Sequence, residues 1–237
     1  MEVDNFDLIS TLLRFDNPDD CYYLEILLRG KDGNDVKKKH NNGDRTIREI
    51  LIHSMDQFLI QKEEIIKLCR EFNARAYIRL NRRSYRGIGF YYVKNFLTEE
   101  ELSVHNRSMN VPAHRNPFRA MSTACGKVNA EPKMTRSWLI DLDDCQIGDP
   151  IVTAFESVIK RPGMNAVISP DDMVISRIPS KSGVHLIVHP FNMSEYKSGS
   201  DEGSFTMTVG NYSASVHKDN PTILYAYINE TQPKDRI

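Results

Sequence analysis

The sequence has few of the features that would place it quickly. Its four cysteines, Cys21, Cys69, Cys125 and Cys145, are scattered without a CxxC spacing, which argues against a zinc ribbon and provides no disulfide framework. That usage fits a reducing, intracellular compartment. An excess of one charge is also lacking, since 31 Lys and Arg are set against 32 Asp and Glu for a formal net charge of −1. The balance argues against a chromatin-type binder and leaves any affinity for nucleic acid to a local basic patch. No apolar run approaches the roughly 18 residues of a membrane span, and the opening MEVDNFDLIS is acidic where a signal peptide is basic. The expectation is a soluble, cytoplasmic protein with no membrane partner. Internal repeats and a GxxxxGK[ST] phosphate loop are missing too.

What remains is a chain of 237 residues, 40% hydrophobic and 27% charged, enough to bury a substantial core. From Asp44 to about Asn73, DRTIREILIHSMDQFLIQKEEIIKLCREF repeats apolar residues at helical spacing and predicts one long helix or two. Asp44 is its N-cap, or Thr46 and Glu49 form a capping box. ARAYIRLNRR then alternates Ala76, Ile78 and Leu80 with Arg75, Tyr77 and Arg79, predicting a strand with one buried and one basic face. A helix is expected through FYYVKNFLTEEELSVHNRS, followed by a connector around VPAHRNPFR. The second half reads as the strand SWLIDLD, a helix through DPIVTAFESVIKR, and the strands MVISRI, VHLIVHPF and PTILYAYI, with a hairpin between Met173 and Phe191. YKSGSDEGSF is expected as a surface loop. Mixed helices and strands with an antiparallel component predict an α+β fold, divided into a unit over residues 1–118 and a second over 119–237 that together form one core.

Four clusters carry possible chemistry. In SWLIDLDDCQ, strand alternation turns Trp138, Ile140 and Leu142 one way and Asp141 and Asp143 the other. Two adjacent carboxylates need a proton, a cation or a divalent metal between them; acids at a strand exit also serve as turn formers or helix caps, roles open to Asp144 and Asp149. In PSKSGVHLIVH, Lys181, the Ser182 hydroxyl and backbone N–H groups near Gly183 form an anion-binding turn beside His185, with His189 on the same strand face. Phosphate is the anion this chemistry suits. Arg75, Arg79, Arg82, Arg83 and Arg86, interleaved with Tyr77 and Tyr85, make either a solvated basic face or a surface for phosphates and stacked bases. In VHKDNPTILYAY, Asp219 is either a third carboxylate or part of an ordinary Asp-Asn-Pro turn.

Taken in order, WLIDLDD, SKSGVH and an acid before a hydrophobic strand resemble the three motifs of the archaeo-eukaryotic primase (primase-polymerase) superfamily: hydrophobic-D-x-D, small-x-H and hydrophobic-acidic. ARAYIRLNRRS and STACGK are similar to segments of its phage and mobile-element members, so the resemblance runs from about Asn73 to Tyr227. It implies an RRM-like, antiparallel-containing sheet packed against an N-terminal helical α/β unit, and nucleotidyl transfer with Mg2+ or Mn2+ onto a primer on single-stranded DNA. Asp141 and Asp143, with Asp219 as the third acid, fall on the metal ligands. Lys181, Ser182, Gly183 and His185 fall on the phosphates of an incoming NTP or dNTP, and the arginine set on nucleic acid. A helicase or accessory primase subunit is an implied partner, and a bacterial host the implied setting. The chain departs from the pattern at Asp219, which follows His217-Lys218 and not a hydrophobic residue, and it lacks the usual zinc-binding insertion. A metal-dependent nuclease, and a noncatalytic RRM-like nucleic-acid-binding module, are the alternative functions.

Overall fold

A computed structural model describes residues 1–32, 44–106, 117–194, 197–201 and 204–228. The fold is α+β and contains two antiparallel sheets. The first is built from β1 (Glu2–Asp4), β2 (Asp20–Leu28), β3 (Arg45–Ile52), β4 (Arg75–Ile78), the two-residue β5 (Arg83–Ser84) and β12 (Thr222–Tyr227). Its order is β1-β12-β4-β2-β3, with β5 beside β2. Helix α1 (Phe6–Ser10) and helix α2 (Met55–Phe72) pack on one face, where Phe6, Ile9, Phe58, Ile65 and Cys69 meet Leu24, Ile26, Ala76, Ile78 and Leu224. Burying each large side chain of this kind contributes about 1.5–3 kcal/mol. The other face meets α3 (Tyr85–Asn106) and α4 (Pro117–Lys127) through Cys21, Tyr23, Ile88, Ala124 and Cys125.

Two expectations fail in this half. The helical pattern over Asp44–Ile52 is instead strand β3, which pairs with β2 along seven residue couples from Tyr22↔Ile52 to Leu28↔Arg45. Cross-strand pairing overrides the local period there. The helix starts one segment later, where Ser54 accepts a hydrogen bond from the Gln57 backbone N–H at 3.1 Å, and it ends at Asn73 with φ +52°. Strand β4 has no exposed basic face: Arg75 and Tyr77 are as buried as Ala76 and Ile78, because Arg75 is neutralised by an internal carboxylate.

The second sheet contains β6 (Trp138–Asp143), β7 (Val174–Pro179), β8 (Gly183–Val188), β9 (Lys197–Asp201), β10 (Ser204–Val209) and β11 (Tyr212–His217). It is ordered β7-β8-β6-β11-β10-β9. The expected hairpin is the β7–β8 pair. YKSGSDEGSF is not all loop, since β9 and the start of β10 lie within it. Helix α5 (Pro150–Ile159) follows β6 with Asp149 at its N-cap and Pro150 at the first helical position, where a missing N–H costs nothing. Val152, Phe155, Val158 and Ile159 of α5 pack on Ile140, Leu142, Val184, Leu186 and Val188. From the opposite face, Leu139, Ile178 and Ile187 enter the core of the first sheet.

The two sheets share a core, and the chain does not divide between them at 118/119. That boundary falls inside α4, which packs on the first sheet, and β12 returns from the second half to pair with both β1 and β4.

Candidate functional site

Alternation along β6 buries Ile140 and Leu142 under α5 and turns Asp141 and Asp143 to the opposite face, as the sequence predicts. Ladder register then selects their neighbours: Asp141 is paired with His185 on β8, and Asp143 with Gly183. Asp141 Oδ1 lies 3.5 Å from His185 Nε2, the carboxylate about one-third exposed and the imidazole almost wholly buried. On its far side, His185 Nδ1 sits 2.9 Å from the Thr222 hydroxyl at the start of β12. Burial pulls the His185 imidazole below its ordinary pKa, and the charges of Asp141 and Asp143, which act the other way, do not offset it. Burial thus disfavours the charged form of the ring, which is fixed between a hydroxyl and a carboxylate.

Beside this pair the chain turns tightly. Ser180 N–H donates to the Gly183 carbonyl at 2.8 Å, and Asp144 N–H to the Ser182 carbonyl at 2.7 Å. A Cβ at position 183 would lie 1.9 Å from the Leu142 carbonyl oxygen, so only glycine permits β8 to approach β6 at the level of Asp143. Ser182 Oγ donates to Asp143 Oδ1 at 3.4 Å. The strand ends open into a groove of about 870 Å³ lined by Asp144–Asp149 and Pro179–Val184. This volume falls within the range of small-molecule sites, about 300–1,000 Å³. Lys181, Ser182 and Gly183 all line it. Asp144, at φ +53°, makes the bend out of β6.

Lys181 is held from outside its own turn. Its Nζ lies 3.1 Å from Asp32 Oδ1, and the Asp32 carboxylate is completely buried. Arg75 grips the same carboxylate with Nε at 2.7 Å and with Nη2. Burial alone would raise the Asp32 carboxyl, but Arg75 and Lys181 together hold it below the usual value.

The remaining expected residues are placed elsewhere. Arg79 and Arg83 both pair with Asp219, which also accepts from Asn81 Nδ2 at 3.0 Å. Arg82 pairs with Asp16, Asp20 and Glu131. With Arg75 bound to Asp32, four of the five arginines expected on a nucleic-acid surface are committed to internal ion pairs. Arg86 alone of the five is exposed. Asp219 thus ties the β11–β12 connection to β4 and β5. His189 lies past the end of β8, with Nδ1 3.3 Å from the Arg136 carbonyl oxygen, so it does not accompany His185.

Three participants escape a reading of the sequence. Asp32 lies in the GKD turn after β2, Thr222 follows a proline, and His217 on β11 lies near enough to feel the Asp141 charge while burial lowers its own pKa. None carries a motif; long-range strand pairing brings each to the site. Among the described residues, no group of three or more His, Cys, Asp and Glu side chains is arranged to hold a metal ion. Asp141 and Asp143 are the carboxylates here that could serve a hard cation, since Asp219 is engaged by arginines.

In comparisons with known proteins, no family model, curated protein or solved structure matches this chain.

Proposed function

We propose that this protein is a metal-dependent nucleotidyltransferase of the primase-polymerase type, which makes or extends primers on a single-stranded DNA template from NTPs or dNTPs. The observation that carries this reading is the couple of Asp141 and Asp143 on one face of β6, with His185 across the ladder from Asp141 and the Lys181-Ser182-Gly183 turn beside Asp143. Further support comes from topology: β6, α5, β7 and β8 run in the order of the first four elements of a β-α-β-β-α-β unit, with β8 inserted between β6 and β7. In place of a second helix, β9 and β10 precede β11.

The chemistry is attack of a primer 3′-hydroxyl on the α-phosphorus of the nucleotide, with pyrophosphate leaving. The donor set of Asp141 and Asp143 suits one hard divalent ion that completes its shell with water and phosphate oxygens. Mg2+ or Mn2+ bound there would neutralise charge on the transferring phosphoryl group and acidify the attacking hydroxyl. Lys181 and Ser182 supply a cation and a hydroxyl to the phosphates in the groove, and His185, braced by Thr222, steadies the Asp141 carboxylate beside them. The alternative of a noncatalytic binding module relied on the arginine surface, and four of those arginines are ion-paired internally. A helicase or accessory primase subunit belongs to the same proposal.

The test is extension of a labelled primer on single-stranded template with Mg2+ or Mn2+ and either nucleotide set, comparing wild type with the Asp141→Ala, Asp143→Ala double variant. Extension that disappears in the variant supports the reading. Triphosphate-independent cleavage of the template would support a nuclease instead, and intact template binding with no extension under any condition would sink the stand-alone polymerase.

A further inference from the structure

The groove wall that bears Lys181 is anchored in the other sheet. Asp32 leaves the end of β2 and reaches the β7–β8 turn with a side chain that has no exposure, accepting the Lys181 ammonium on the oxygen that also faces Arg75 Nη2. Arg75 is itself nearly buried and lies 3.5 Å from the Tyr77 hydroxyl, so the carboxylate is fixed from behind. A lysine has four rotatable bonds and loses much side-chain entropy when ordered. An ion pair to a rigid buried carboxylate removes that cost before a ligand arrives. The arrangement also spans a sequence separation of 149 residues, so it fixes the second sheet's turn relative to the first sheet.

We propose that Asp32 is a positioning residue for the groove: its carboxylate, clamped by Arg75, sets the direction of Lys181 and with it the triphosphate-binding wall between Pro179 and Gly183. This rests on the reading of the groove as a nucleoside-triphosphate site. Asp32 touches no substrate in this role and acts through Lys181.

The experiment is a double-mutant cycle read by triphosphate binding, using calorimetry on the full chain with a nucleoside triphosphate and Mg2+, with thermal unfolding run in parallel. Asp32→Asn and Lys181→Ala are each expected to weaken binding by about tenfold, and the double variant by no more than Lys181→Ala alone, because coupled partners are non-additive. In primer extension, Asp32→Asn should raise KM with kcat little changed. Additive losses, or wild-type affinity in Asp32→Asn, would overturn the positioning role while leaving the triphosphate site standing. Absence of triphosphate binding in wild type would overturn the site and this role together. If Asp32→Asn does not fold, Asp32→Glu replaces it in the cycle; it keeps the charge and moves it by one methylene, and affinity equal to wild type would again overturn the proposal.

Discussion

Asp141 and His185 are direct partners on adjacent antiparallel strands, and the second nitrogen of the same imidazole meets Thr222 from the other sheet. One ring thereby joins the Asp141 carboxylate of β6 to β12, an interior strand of the first sheet.

Replacing Thr222 with valine keeps the shape and removes the hydroxyl beside His185 Nδ1. A buried nitrogen left without a partner costs about 1–3 kcal/mol, and the ring loses one of its two restraints. Thr222→Val should lower both the unfolding temperature and the extension rate, and Thr222→Ser should recover most of each. A normal rate in Thr222→Val would show that the bond does not orient the ring.

Gly183→Ala places a methyl group against the Leu142 carbonyl, 1.9 Å from its oxygen. Backbone on both sides must move, and overpacking of this kind costs about 1–3 kcal/mol. The expected fall in Tm is roughly 2–4 °C per kcal/mol for a chain of this size. Because Gly183 pairs with Asp143, metal affinity measured by calorimetry should fall with it.

For Asp219 the structure and the motif pattern predict different phenotypes. Arg83 is completely buried against Asp219, and removing one partner of such a pair costs about 3–5 kcal/mol. Asp219→Ala should therefore unfold several degrees earlier than wild type while its folded form keeps wild-type affinity for Mn2+. Loss of Mn2+ affinity without loss of stability would restore Asp219 as a metal ligand.

Glu25 and Glu49 face each other across β2 and β3, sharing the Tyr23 hydroxyl, which donates to Glu49 at 2.5 Å and to Glu25 at 3.4 Å. Burial raises both carboxyls above their ordinary value of 4.5; Arg79 opposes this at Glu25, and Tyr23 at Glu49. Just above pH 4.5 the folded chain holds more protons than the unfolded one, so this pair's stabilisation is present at low pH and is lost as pH rises through the folded pKa values. Glu49→Gln keeps an acceptor for Tyr23 and removes one charge. At pH 7 it should be more stable than wild type by about 1 kcal/mol, with the advantage shrinking toward pH 4.5 in thermal unfolding across a pH series.

Some of this was readable residue by residue. The alternation in SWLIDLD puts Ile140 and Leu142 on one face and Asp141 and Asp143 on the other, so the shared face of the two acids is legible directly, although Leu139 lies on that face too and is buried against the first sheet. Helix α5, with Asp149 and Pro150 at its start, was equally plain, as was the β7–β8 hairpin. Arg45–Ile52 was not, because its apolar residues satisfy a helical period as well as a strand, and pairing with β2 made the choice. Strands β10 and β11 were not expected although both alternate, with Phe205, Met207 and Val209 in one and Tyr212, Ala214 and Val216 in the other; each is six residues long and rich in Ser or Thr.

Local periodicity thus sufficed for the α+β class and for the acidic strand, whereas the need for glycine at 183 follows only from the approach of β8 to β6. The partners of each charge did not follow from local chemistry. Arg75 in a strand of alternating pattern looks solvent-facing until Asp32, 43 residues away, supplies a buried counter-charge, and Asp219 looks like a third acid until Arg79 and Arg83 surround it. A charge is stable in a core only beside its opposite, and which opposite reaches it depends on strand order, through contacts between residues far apart in the chain.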